Sequence, residues 1–278
     1  MKKILVTGSA GYIGQHLIKM LNGKYEVYGL DINPTNSNMV ADIRYGNQLE
    51  NYLFLLNEMP DDYDAIIHLA AKVRVGESVS MPLNYYDTNI NGTINVLQYV
   101  TTKNFIFAST GAAALPTSPY AYSKVVAEHI VQEYCIKNSI DYTIFRFYNV
   151  VGTDGIEPTN PDGLMFNLMK APELGHFNLF GTDYNTPDGS AIRDYVHVNE
   201  ICNALIEAIE TPSGKVENLG TGVGHTVMEM IDTFKKVNQY EFEVRSFPRR
   251  EGDLERSVLD NVSPYYIQSY TLEELMKV

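Results

Sequence analysis

Apolar residues in the first half of the chain fall in short runs, and stretches of helical spacing separate them. Lys3 to Thr7 is one such run, and a helical pattern through Ile13, Leu17, Ile18 and Leu21 follows it. Glu26 to Leu30, Ala65 to Leu69, Asn104 to Ala108 and the β-prone Tyr142 to Phe147 read as further strands. Helices are predicted over about Gln48 to Glu58 and Asn84 to Thr102. Such alternation implies an α/β fold built on a doubly wound parallel sheet, with the ligand crevice outside the carboxyl ends of its strands. Beyond Gly152 the pattern changes, because Thr153 to Asp162 is rich in Gly, Pro, Asn and Asp and reads as a loop. Phe177 to Gly181 and Val216 to Leu219 then read as strands, and Asn199 to Glu210 and Val227 to Asn238 as helices of a smaller lid domain. The expected organisation is one α/β domain over 1–152 and a smaller α/β domain over 153–278.

The totals narrow the possible partners. A chain of 278 residues suits one large domain or two fused ones. No apolar run approaches the ~20 residues of a membrane span, and the amino terminus lacks a signal-peptide pattern. A net charge of −13 argues against general nucleic-acid binding. Charges more than about 8 Å apart are largely screened, so an anionic substrate is still compatible with a few convergent arginines. Cys135 and Cys202 sit in apolar helical patterns and read as free thiols in a reducing, cytoplasmic setting. The six histidines are scattered, and no metal site is expected.

Chemistry enters at two places. Gly8, Gly11 and Gly14 stand between the first strand and the first helix: Gly8 permits the tight turn, Gly11 the approach of a pyrophosphate, and Gly14 close helix–strand packing. Asp31 ends the second strand 17 residues after Gly14, where a carboxylate accepts ribose hydroxyls and repels a 2′-phosphate. NAD is therefore expected over NADP, in a dinucleotide-binding Rossmann domain. The second place is Tyr120-Ala-Tyr-Ser-Lys124, which puts a phenol and an ammonium on one helix face. A nearby positive charge favours the phenolate, so the pair reads as a general base. By itself Tyr-x-x-x-Lys is better explained by a surface helix that carries both residues by chance. Thr110 at a strand end, ten residues earlier, is either an ordinary hydroxyl or a donor to a sugar oxygen.

Together the glycine pattern, Asp31, Asp42-Ile43, His68-Leu-Ala-Ala, Thr110 and the Tyr120/Lys124 pair resemble the extended short-chain dehydrogenase/reductase superfamily. Val75 to Asp87 and Asn91-Gly92-Thr93 are similar, within it, to the UDP-glucose 4-epimerase family. The resemblance runs from residue 4 to about residue 260 and implies NAD-dependent interconversion of UDP-galactose and UDP-glucose through a 4-keto sugar. It implies Tyr120, Lys124 and Thr110 as catalytic residues. Tyr12 and Ile13 would approach the cofactor's pyrophosphate at the turn of Gly8, Gly11 and Gly14, and Asp31 would bind the adenosine ribose. Ile32 and Asn33 would also line the cofactor. Residues 153–278 would be the substrate domain, with those near 190–212 packing back on the NAD-binding domain. Asp42 and Ile43 would flank the adenine, and Leu69, Ala70, Ala71, Lys72 and Thr88 would line the cofactor. Lys124 and Tyr148 would lie at the nicotinamide end. Asn149, Leu164, Asn178, Phe180, Arg193, Tyr195, Arg250, Asp253 and Ser257 would join Thr110 and Tyr120 in binding the UDP-sugar. Relatives pair the helices matching Asn89 to Val100 and Ala121 to Lys137 into a four-helix bundle, which implies a homodimer.

The departures are specific. Lys72 stands one position early, with Val73 where the family's lysine falls; Thr88 and Gly163 each replace an asparagine. The links from Asp31 to Asp42 and from Thr110 to Tyr120 are short, which implies a more open adenine pocket and weaker NAD retention. Ser257 stands where a bulky tyrosine tends to exclude N-acetylated sugars, so a UDP-GlcNAc/UDP-GalNAc 4-epimerase is the alternative reading. A 4,6-dehydratase is disfavoured, because Gly111 and Ala112 follow Thr110 in place of that family's Asp-Glu. A non-catalytic NAD-binding protein would not need Tyr120, Lys124 and Thr110 intact.

Overall fold

The computed structural model describes residues 1–35, 37–55, 62–250 and 252–278. The first half runs β1 (Lys3–Thr7), α1 (Tyr12–Leu21), β2 (Glu26–Asp31), β3 (Met39–Val40), α2 (Gly46–Leu55) and β4 (Ala65–His68). It continues with α3 (Val75–Ser80), α4 (Pro82–Tyr86), a π-helical turn (Asp87–Asn91), α5 (Gly92–Tyr99), β5 (Asn104–Thr110), α6 (Pro119–Asn138) and β6 (Asp141–Phe147). The second half holds β7 (Asn149–Val151), α7 (Leu164–Leu174), β8 (His176–Phe180), β9 (Ile192–His197), α8 (Val198–Glu210) and β10 (Val216–Leu219). β11 (Gly224–Thr226), α9 (Val227–Asn238), β12 (Glu243–Phe247), β13 (Arg256–Ser257) and α10 (Leu272–Leu275) complete it. Of the helix predicted over 48–58, residues 56–58 lie outside the described residues.

Seven strands form the main sheet in the order β10-β6-β5-β4-β1-β2-β3. The strands from β3 to β5 pair in parallel, with Val6 opposite both Gly29 and Ile67. Strand order reverses beside β1, the switch point at which doubly wound sheets take their ligands. All four residues of β4 are buried, as a central parallel strand covered on both faces requires. Leu5, Ile66, Phe105 and Ile144 pack there with Val96 of α5 and Ala127 and Val131 of α6.

By contact, one unit comprises 1–146 with 202–217, and the other 147–201 with 218–278. The expected cut after 152 thus stands beside an observed one after 146, and the returning segment is 202–217. The second unit has its own core, in which Met165 and Leu168 of α7 meet Phe177, Tyr195, Ile231 and Phe234.

Two expectations are corrected here. β10 is not part of the lid: it forms the edge of the main sheet, where Lys215 carbonyl accepts from Ile144 N at 3.0 Å and Gly214 N donates to Tyr142 carbonyl at 2.8 Å. The single helix expected over 84–102 is instead α4, a π turn and α5. The π turn places Asn89 in the interior, where it is 1% exposed.

Candidate active site

The β1–α1 turn is set by glycines. Gly8 has φ +75°, and a Cβ there would lie 2.7 Å from Ala70 N. A Cβ on Gly14 would lie 2.2 Å from Gly8 carbonyl oxygen, so only glycine lets α1 approach β1 this closely. α1 has no side-chain cap on Gly11 and no acidic residue in its first turn. Its leading amides keep the partial positive charge that suits a pyrophosphate. Asp31, at the end of β2, accepts from Ala10 N at 3.0 Å and from Asn33 N at 2.9 Å, fixing its carboxylate beside that turn. These donors and this acceptor fit NAD.

The adenine-side residues are arranged differently from one another. Asp42 is gripped by Arg44, with Nη2–Oδ2 at 2.6 Å and Nε within 3.1 Å of both oxygens. The Arg44 guanidinium holds its carboxyl below the usual range. Arg44 is a neighbour that the sequence reading missed. Ile43 is buried where a Cβ on Gly92 would meet it at 2.6 Å, whereas Ile32 is exposed. Lys72 reaches toward Glu77 at 3.8 Å and over the Tyr85 ring at 5.7 Å. Thr88 lies on the π turn.

Tyr120 and Lys124 sit on the first turns of α6, which Ser118 caps by accepting from Ala121 N at 3.2 Å, with Pro119 in the first turn. Tyr120 is 8% exposed and Lys124 4%. The Thr110 side chain lies close enough to the Tyr120 phenol to favour its ionised form, and the phenol ring meets Tyr85 edge-on at 6.4 Å. Lys124 Nζ lies 4.1 Å from the Phe107 ring centroid.

Electrostatics here reverses one expectation. Burial raises the Tyr120 pKa, and the Thr110 hydrogen bond pulls it down. Burial pushes Lys124 down to about 7, while Glu128 supports its charged form. The phenol is therefore raised overall, not lowered as the four-residue spacing implied; desolvation is the largest cause for both groups. The ammonium rests against Phe107, a strand residue that the helical spacing does not reveal.

A chain of buried hydrogen bonds ties the cofactor loop to the catalytic helix. Ala70 N donates to Thr7 Oγ1 at 3.3 Å, and Thr7 shares a 2.7 Å bond with His68 Nδ1. His68 Nε2 meets Thr93 Oγ1 at 3.1 Å, and Thr93 donates to Asn89 carbonyl at 2.7 Å. Only the Nε2–H tautomer of His68 satisfies this order. Burial, aided by the Lys124 charge, pushes His68 down to about 3 and keeps it neutral. Asn89 then grips Lys72 at both backbone groups, 2.8 and 3.0 Å, and donates to Ser123 Oγ at 2.9 Å. Ser123 donates to Tyr120 carbonyl at 2.7 Å. Asn89 and Ser123 were missed because a helix reading turns such residues outward; the Asn-rich stretch from Asn84 to Asn95 was the available signal.

The second unit gathers the other candidates around two strands. Arg193 on β9 donates from Nη2 to Asp253 Oδ1 at 2.9 Å and from Nη1 to Ile192 carbonyl at 2.9 Å. Asn149 donates to Asp194 carbonyl at 2.9 Å, Ser257 lies in register with Arg193, and Tyr195 is buried. Asp194 itself forms no surface ion pair with Arg193. Fully buried, it accepts from Thr221 N and Oγ1 at 2.8 Å and from Gly222 N at 2.9 Å, bracing that loop. On β8, the Arg250 guanidinium stacks 4.2 Å from the Phe180 ring centroid. Its neighbour Arg249 stacks on Tyr184 at 4.0 Å and binds Asp183 at 2.7 Å, a loop clamp distinct from Arg250. Asn178 is exposed on β8, Leu164 begins α7 behind Gly163, and Tyr148 N donates to Leu219 carbonyl at 3.0 Å. Glu251, in the Arg-Arg-Glu-Gly-Asp motif, lies outside the described residues.

Comparison with known proteins agrees with this geometry. A UDP-glucose 4-epimerase of Bacillus subtilis is 33% identical over 299 residues, covering 90% of this chain and 86% of that protein. One from Pasteurella multocida is 32% identical over 298 residues, covering 90% and 87%. Among solved structures, a UDP-glucose-4-epimerase from Stenotrophomonas maltophila with bound NAD and formylated UDP-arabinopyranose superposes with TM-score 0.86 at 27% identity, covering 99% and 96% of the chains. The UDP-Glc/GlcNAc 4-epimerase of Campylobacter jejuni gives 0.81 at 27% identity, covering 100% and 97%. Residues 4–220 match the NAD dependent epimerase/dehydratase family, and the chain belongs to that family.

Proposed function

We propose that this protein interconverts UDP-galactose and UDP-glucose by inverting C4 of the hexose through a 4-keto sugar. The observation that carries the reading is buried Tyr120 one turn from buried Lys124, with Thr110 close to the phenol, on the same unit as the uncapped glycine turn. NAD, when bound, supplies the hydride acceptor at C4. Tyr120 takes the O4 proton and later returns it, and Thr110 helps to pass it. Lys124, while charged, favours the phenolate. The 4-keto sugar is neutral, so no strong oxyanion site is required. Arg193, Arg250 and Asp253 hold the UDP portion, and little binding is spent on the hexose, which leaves the sugar room to turn over. Guanidinium groups suit a diphosphate because their forked donors meet two oxygens at once. Incubating the protein with UDP-galactose, UDP-GalNAc and TDP-glucose without added NADH, and identifying the products, tests this assignment.

Ser257 carries a second reading within the same chemistry. Its side chain is small, and the residue lies in register with Arg193 in the β13–β9 pairing. Turnover of UDP-GlcNAc or UDP-GalNAc is therefore expected. Undetectable turnover of both, by a preparation active on UDP-galactose, would remove this reading.

A second copy of the chain is the partner we assign to the helical face of the first unit. Val79, Leu83 and Ile94 are exposed from the α3–α5 segment, and Tyr122 and Val126 from the adjoining α6. Analytical ultracentrifugation is expected to find two chains per particle, reduced to one by Leu83→Lys with Val126→Lys. A wild-type monomer at micromolar concentration would contradict the pairing. Cytoplasmic residence accords with the buried free thiols Cys135 and Cys202. No described helix is long and apolar enough to cross a membrane.

A further inference from the structure

Beneath the Tyr120/Lys124 pair lies an ion pair that the proposed chemistry does not use. Glu128 of α6 is 3% exposed. Arg146 of β6 holds it by a fork, Nη2–Oε2 at 2.6 Å and Nε–Oε1 at 2.9 Å. Ser109 of β5, next to Thr110, donates to the same Oε1. Three elements of the first unit thus fix one carboxylate. The spacing of Lys124 and Glu128 puts them on one helix face, where Cβ atoms stand about 5–6 Å apart.

The other groups facing Lys124 do not offer it a counter-charge. From α6 comes Tyr120, whose phenol pKa burial raises and which is no fixed anion. From β4 comes His68, neutral and tied at both ring nitrogens. β5 presents the Phe107 ring. Tyr85 of α4 donates to Glu77 at 2.7 Å, and Lys72 lies 3.8 Å from that same carboxylate. Arg146 is committed to Glu128. A buried ammonium needs a nearby anion to stay charged, and Glu128 is the candidate placed for it.

We propose that Glu128, pinned by Arg146 and Ser109, is the positioning residue for Lys124: its fixed carboxylate keeps the buried ammonium charged and aligned one turn below Tyr120. The charge at the catalytic pair is then set by a three-element clamp that reaches no cofactor or substrate. The same carboxylate joins β5 to α6, and so holds Thr110 in register with Tyr120.

The test is a pH titration of the purified full chain carrying 13Cε-lysine, with Lys124→Met identifying the Lys124 resonance. In Glu128→Gln, which keeps the shape and one acceptor oxygen, the proton affinity of Lys124 is expected to fall by about tenfold. In Glu128→Asp, which keeps the charge, it should stay closer to wild type. An unchanged Lys124 midpoint in folded Glu128→Gln overturns the proposal. Should Glu128→Gln not fold, Arg146→Gln is added to remove the guanidinium left without its carboxylate, and the same titration is read in the double variant. An unchanged Lys124 midpoint there overturns the proposal as well. A kinetic arm rests on the epimerase reading: the alkaline limb of kcat should move to lower pH in Glu128→Gln with KM unchanged. If the resonance moves and the kinetic limb does not, that reading is at fault and the proposal stands.

Discussion

Tyr120→Phe is expected to lower kcat for UDP-galactose by about 10²–10⁴-fold, the span that a positioned general acid–base group contributes. The substitution removes the hydroxyl and keeps the ring. The edge-on contact with Tyr85 at 6.4 Å is retained, so the fold and the start of α6 should be unaffected. Thr110 keeps its own bond, its oxygen accepting from Ala112 N at 3.3 Å, and the residue is half-buried. NAD and UDP affinities should consequently change little. Loss of turnover with both ligands still bound separates chemistry from binding. Turnover within about threefold of wild type would show that another group moves the O4 proton.

The second large effect is on the cofactor. Gly14→Ala places a methyl group 2.2 Å from Gly8 carbonyl oxygen and 2.9 Å from Ser9 Cα and carbonyl oxygen. Those atoms are backbone, so no rotamer change relieves the clash. α1 must move off β1, and its leading amides move with it. Overpacking of this kind costs about 1–3 kcal/mol, which corresponds to roughly 5–150-fold weaker NAD binding if the cost falls on the bound form. Titration calorimetry with NAD checks it. Gly76→Ala is the control, since a Cβ there meets nothing within 4 Å. Equal affinity in Gly14→Ala and wild type would show that this turn does not present the pyrophosphate site.

How much of this was legible follows from how local each signal is. The β1–turn–α1 unit and the opening of α6 depend on residues next to one another, and the chain carries them openly: Gly8, Gly11 and Gly14, then Ser118-Pro119. Fold class was readable for the same reason, because strand and helix periods alternate within short windows. What the sequence hid depends on pairings across long separations. Arg193 meets Asp253 and Asn149 meets Asp194 carbonyl, and no spacing rule links them. β10 has the look of a lid strand until its partner β6 is known. The π turn at Asp87–Asn91 is invisible to a 3.6-residue period, and so was the inward path of Asn89. The Tyr120 phenol was misjudged in direction, because burial is a property of the packed site and the spacing of two residues does not report it.

Intramolecular return of hydrogen to C4 is the central requirement of the proposed chemistry, and it can be measured directly. UDP-galactose carrying deuterium at C4 is incubated with the protein in ordinary water, with no added NADH, and the UDP-glucose formed is examined by mass spectrometry and NMR. Deuterium retained at C4 of the glucosyl product is the expected result, with no net change in cofactor. Inverted product that has exchanged its C4 deuterium for solvent hydrogen would contradict it, as would a bound cofactor with no conversion of the sugar.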